Sequence, residues 1–144
     1  MIGGKDEVRC AIVDSGVQRE LSGNNIFGGI TFKRSEAGIE IIENEYQDEN
    51  GHGTFIAGVA AGRVIESEDF SGAAPDASLC IVKLKPCKQY LRQFYGTAAD
   101  VPAYQENDIM AGISYCIQKA QEARMPVIIL LGVGTNSGGH TGQS

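Results

Sequence analysis

The stretch Ala11-Ile12-Val13-Asp14-Ser15-Gly16, followed downstream by Asn50-Gly51-His52-Gly53-Thr54-Phe55-Ile56-Ala57-Gly58, decides how the chain is read. The first segment is an apolar run ending on a carboxylate and then a glycine. That is the pattern of a buried strand that presents Asp14 at its carboxyl end, where α/β proteins build their sites. The second segment reads as a turn feeding a helix. His52 falls in its first turn, and Gly53, Ala57, Gly58, Ala60, Ala61 and Gly62 give a face small enough for close packing. A carboxylate held by a strand end and an imidazole held by a helix start are two of the three groups of a proton relay. In such a relay the carboxylate orients the ring and the ring accepts a proton from a nucleophile.

Working outward, strand-like runs at Val8–Asp14, Ile39–Ile42, Ser78–Leu84 and Val127–Leu131 alternate with helical patterns at Gly53–Val64 and Asp108–Arg124. This alternation is the signature of βαβ units, and it predicts an α/β fold with a parallel sheet in three αβα layers. Ile109, Ile113, Cys116, Ile117 and Ala120 recur at helical spacing and form one apolar stripe, with Asn107 as the expected cap and the end expected near Pro126. Gln18 to Arg34, rich in Asn and Gly, reads as a loop or a short strand. Lys85 to Gln105 reads as a long connection bearing Tyr90, Phe94, Tyr95 and Tyr104, and connections of that length are usually functional or mobile.

At 144 residues and 42% apolar content the chain suits one domain with a single core. Eighteen acidic against twelve basic residues leave a formal charge of -6 with no basic stripe, which argues against nucleic acid as a partner. No apolar stretch has the length a membrane span needs. The first strand starts by about residue 8, leaving no room for a signal peptide or a propeptide. The expected setting is therefore cytoplasmic, or the chain is an engineered fragment. Cys10, Cys80, Cys87 and Cys116 show no Cys-x-x-Cys spacing and read as reduced core or semi-buried thiols, with a disulfide or metal role as the alternative. Glu43, Glu45, Asp48 and Glu49 lack any EF-hand-like spacing and read as a solvated loop, so no metal and no cofactor are assigned.

The Asp-Ser-Gly and His-Gly-Thr-x-x-Ala-Gly segments resemble the signatures of the subtilisin-like serine proteases, or subtilases, and the order Asp then His is that of subtilisin itself. Gly72-Ala73-Ala74-Pro75-Asp76-Ala77 running into Cys80-Ile81-Val82-Lys83-Leu84 is similar to the family's Gly-x-Ala-Pro-x-Ala turn and the strand after it. Asp108-Ile109-Met110-Ala111-Gly112-Ile113 through Val127-Ile128-Ile129 resembles the next helix and strand, so the likeness runs from about residue 8 to about residue 138. Lys83-Leu84-Lys85-Pro86 and Tyr104-Gln105-Glu106-Asn107-Asp108 look most like the spore-germination and bacteriocin-processing branch.

The resemblance implies a partial subtilisin-like fold, residues 1–144 being the N-terminal half of the peptidase domain, truncated before the nucleophile. It makes Asp14 the orienter and His52 the general base of a serine endopeptidase acting on a peptide or protein substrate. Pro102-Ala103-Tyr104 falls where the family lays a strand beside the substrate, and Gly132-Val133-Gly134 where the opposite strand lines a substrate pocket. The usual motif at that second place is Ser-Leu-Gly. A Gly-Thr-Ser-type turn is absent: Ser15 belongs to the Asp segment, Ser71 precedes the Ala-Pro turn, Ser137 and Ser144 lie in the tail, and His140 beside them has no assigned role. Loss of the serine alone costs subtilisin about a million-fold in turnover, so the chain by itself is expected to be inactive. The alternative is a naturally short pseudoprotease acting as a peptide-binding or regulatory module. The resemblance also leaves Val127–Leu131 as an open sheet edge, fit for a homodimer or for a complementary C-terminal half.

Overall fold

The computed structural model describes residues 9–18, 24–35 and 38–134, so the expectations attached to Ser137, His140 and Ser144 lie outside the described residues. The apolar run ahead of the first carboxylate is strand β1 (Arg9–Asp14), buried from Cys10 to Asp14. Strand β4 (Ser78–Lys83) pairs with it in parallel, Ala11 opposite Cys80 and Asp14 opposite Lys83. On its other side β1 pairs in parallel with β5 (Ile128–Leu131), Ala11 opposite Ile129.

The Asn- and Gly-rich stretch expected to be a loop or short strand instead contains a ten-residue strand, β2 (Ile26–Ser35). It pairs in parallel with β4 and antiparallel with β3 (Gly38–Glu43). The glycines that suggested a turn are there for clearance. A side chain at Gly29 would collide with the Tyr46 ring, and one at Gly28 would press on the Tyr115 hydroxyl and the Cys80 sulfur. Past them Ile30 and Phe32 are fully buried, and that burial holds the segment extended. The sheet order is β3-β2-β4-β1-β5, so the expected parallel sheet is mixed, with one antiparallel strand at the edge remote from β5.

Alternation along the central strands divides the core in two. Cys10, Ile12, Leu79 and Ile81 face helix α1 (His52–Ala61), which buries Gly53, Ala57 and Ala61. Ala11, Val13, Cys80 and Val82 face the opposite way, toward helix α3 (Glu106–Ala123) and its Cys116. The result is the expected αβα layering. Helix α1 starts at His52 and stops at Ala61, short of Val64, because Gly62 turns extended. Helix α3 starts one residue before the expected cap: Gln105, not Asn107, holds the cap position, with no side-chain capping bond, and Arg124 in the left-handed region ends it ahead of Pro126. The long connection from Lys85 to Gln105 carries an exposed helix, α2 (Gln89–Tyr95), and a return bridge pairing Pro86 with Tyr104. Among the described residues no helix is long and apolar enough to cross a membrane.

Candidate active site

Asp14 is the last residue of β1 and only 1% exposed. Its Oδ1 accepts a hydrogen bond from the Ser15 amide at 2.7 Å, and both carboxylate oxygens stand 3.0 Å from His52 Nδ1. A carboxylate can only accept, so the pairing places the imidazole proton on Nδ1 and leaves Nε2 as the free lone pair. The imidazole is half open to solvent, with 52% of its side chain exposed against 1% for Asp14. One nitrogen is locked and the other is presented.

Two glycines bring these elements together. A Cβ on Gly53 would collide with the Gly16 carbonyl oxygen, so only glycine lets the first turn of α1 press onto the loop leaving β1. A Cβ on Gly132 would run into the Asp14 carboxylate, and the Gly132 amide donates to the Val13 carbonyl at 3.2 Å. The backbone leaving β5 is therefore a wall of the Asp14 pocket. The next residue, Val133, packs on the α3 side of the core, and Gly134 is exposed with open space around it.

The remaining residues singled out in the sequence come back toward the same end of the sheet. Tyr104 bridges to Pro86, and the Cys87 amide donates to the Ala103 carbonyl at 2.8 Å, while Pro102 is exposed. The Tyr104 hydroxyl is pushed above its ordinary range by burial and then by the negative charges of Asp14 and Asp48. That sensitivity ties the connection before α3 to the carboxylate at the end of β1.

Asp48 is the residue that sequence reading missed. Grouped there with solvated acids, it is 3% exposed. Oδ1 accepts from the Ser15 hydroxyl and from the amides of Asn50 and Gly51, each at 2.9 Å. Oδ2 accepts from the Thr54 amide at 3.0 Å and the Thr54 hydroxyl at 2.6 Å. Burial opposes its ionisation, but the bonds from the Thr54 hydroxyl, the Gly51 and Thr54 amides and Ser15 outweigh it and hold Asp48 at about 2. Its oxygens are spent on protein donors, and it anchors the turn that aims His52. Ser15 is spent likewise, donating to Asp48 and accepting from the Gly53 amide at 2.9 Å. An Asp four residues before a helix that opens on Gly-His-Gly-Thr was the available signal.

The comparisons with known proteins place the chain in a family. A model of the subtilase family matches residues 5–123. Subtilisin E of Bacillus subtilis (strain 168) is 39% identical over 77 residues, which are 54% of this chain and 18% of that protein. The major intracellular serine protease of the same strain is 35% identical over 79 residues, covering 54% of this chain and 24% of that one. The Clostridium perfringens CspB protease superposes on 97% of this chain and 31% of its own, with a TM-score of 0.72 at 19% identity. The chain thus spans less than a third of the length of each of these three relatives. A family match over most of the chain, on a fold shared with a solved protease, makes it a member of the subtilase family of serine peptidases.

Proposed function

We propose that this chain supplies the Asp14 orienter and the His52 general base of a subtilisin-like serine endopeptidase, and that alone it does not hydrolyse peptides. The observation that carries the reading is the 3.0 Å approach of His52 Nδ1 to both Asp14 oxygens, with the imidazole otherwise open. In this role Nε2 takes the proton of a serine hydroxyl as the oxygen attacks a peptide carbonyl, then returns it to the leaving amine. Asp14 holds the tautomer and stabilises the imidazolium that forms between the two steps. The serine belongs to polypeptide beyond this chain, since Ser15 is bound up with Asp48 and Gly53 and no Gly-Thr-Ser-type turn occurs in the sequence. Tyr104 and Gly132 to Gly134 are assigned to the edges that receive an extended peptide, supported by their return to the Asp14 end of the sheet.

The same reading gives a partner. Among the described residues β5 is an edge strand paired with β1 alone, with Ile128 67% and Leu131 42% exposed. It carries no charge, whereas the opposite edge strand, β3, has Glu40 and Glu43 to discourage pairing. We assign this edge to the polypeptide that brings the nucleophile. NMR of the His52 ring nitrogens tests the core of the proposal. The expected result is a protonated Nδ1 in the native chain and a changed tautomer ratio in Asp14→Asn. A dominant Nε2–H form in the native chain would overturn it.

A further inference from the structure

Two thiols outside the site meet beneath helix α3. Cys80 on β4 and Cys116 on α3 are both fully buried in one apolar cluster. Gly112 makes their approach possible, because a Cβ there would stand only 2.8 Å from Val82 Cγ1, so helix and strand touch with no side chain between them. Cys116 lies one helical turn beyond Gly112, and Cys80 lies two residues before Val82 on the same face of the strand. A disulfide needs its two Cα atoms within about 7 Å, and the close approach of Gly112 to Val82 brings this part of the helix near the strand.

The pair is also chemically uneven. Interaction with Cys116, with burial added, holds Cys80 above the ordinary thiol range, and the same interaction holds Cys116 below it. Side chains of α3 reach the Cys80 end of the pair. The Tyr115 hydroxyl and Cys80 Sγ lie 3.0 and 3.1 Å from where a Gly28 Cβ would sit, with Lys119 Cγ at 3.5 Å. Tyr115 and Lys119 are half-buried, and Lys119 Nζ stands 5.7 Å from the Tyr115 ring. Long side chains at a helix rim swing aside on a nanosecond scale, so a small molecule has a route in.

We infer that Cys80 and Cys116 form an oxidisable pair, at which a hydroperoxide converts two thiols into an internal disulfide that fastens α3 to β4. The Cys116 thiolate attacks the peroxide O–O bond, giving the Cys116 sulfenic acid and releasing an alcohol, or water from hydrogen peroxide. Cys80 sulfur then attacks the Cys116 sulfur, the S–S bond forms, and the departing hydroxide leaves as water with the Cys80 proton. In sum, two thiols and one hydroperoxide give one disulfide, one alcohol and one water. The bond ties down the helix that follows Tyr104, so its state sets how rigidly that segment is held.

The test uses the full chain with Cys87→Ser, which removes the only half-buried thiol and leaves three of the four cysteines. The chain is treated with tert-butyl hydroperoxide, and free thiols are counted after denaturation. The expected count falls from three to one, with a Cys80–Cys116 bond found by peptide mapping. A loop of this length should raise Tm by about 10 °C. Cys80→Ala and Cys116→Ala should each abolish the Tm shift. Mapping on the pair itself needs neither variant, so a poorly folding variant does not blunt the result. Three remaining thiols, a bond to Cys10, or sulfinic acid at Cys116 without a cross-link would each overturn the inference.

Discussion

Thr54 reaches the same oxygen of Asp48 twice, by its amide at 3.0 Å and its hydroxyl at 2.6 Å, and so clamps the first turn of α1 to the loop before it. His52 lies two residues earlier in that turn. Replacing Asp48 by Ala removes the acceptor for five donors at once and should cost about 3 kcal/mol of folding stability, read from urea denaturation. The conservative Asp48→Asn should recover part of this. Equal stability of Asp48→Ala and the native chain would show that water replaces the carboxylate without loss.

The same carboxylate sets an acid limit. Asp48 is held at about 2 in the folded chain, below its ordinary value of 3.8, so folding is favoured by its ionised form. The sign follows from linkage: the contribution is complete above pH 4 and is lost as pH falls from about 4 to about 2. The stability gap between the native chain and Asp48→Asn should therefore shrink over that interval in melts at pH 5, 3 and 2. A gap that stays constant would place the stabilisation in something other than charge.

Gly132→Ala puts a methyl group into the Asp14 carboxylate. Overpacking of this kind costs about 1–3 kcal/mol, and here it should also turn the carboxylate away from His52. The expected readout is loss of the Nδ1–H signal of His52 in a chain that remains folded by circular dichroism. An unchanged signal would mean that the backbone leaving β5 yields instead.

Fluorophosphonate probes should leave every serine of this chain unlabelled, and peptide substrates should remain uncut, because the Ser15 hydroxyl is engaged by Asp48 and the Gly53 amide and the sequence has no Gly-Thr-Ser-type turn. Stoichiometric labelling detected by mass spectrometry would contradict this.

With β5 unpaired on one side among the described residues, the chain alone should self-associate at micromolar concentration. Burying Ile128 and Leu131 on contact is worth roughly 1.5–3 kcal/mol each before entropic costs. Ile128→Lys, at a position already 67% exposed, should reduce association without unfolding the monomer. A native chain that sediments as a monomer would contradict this.

Asp14 and His52 were legible in the sequence because each is fixed by its own neighbours. Asp14 ends an apolar run and His52 opens a helix between two glycines, so the local pattern already says where each side chain stands. The strands β1, β4 and β5 and the helices α1 and α3 were legible for the same reason, their periodicity being strong. The ten-residue strand β2 was not. Its Gly28 and Gly29 look like a turn until Tyr46, Tyr115 and Cys80 are known to crowd them, and those neighbours come from 17 or more positions away.

Local pattern, then, carried the α/β class and the carboxylate and imidazole of the candidate site, since these rest on contacts between residues close in the chain. Asp48 needed the tertiary structure: its charge alone spoke for solvent, and only the fold surrounds it with five donors. The burial of Cys80 and Cys116 in one cluster and the Gly132 wall behind Asp14 were likewise decided there. Each depends on which distant elements pack together, and that choice is made by burying apolar surface across the whole sheet, with no mark left in any one segment.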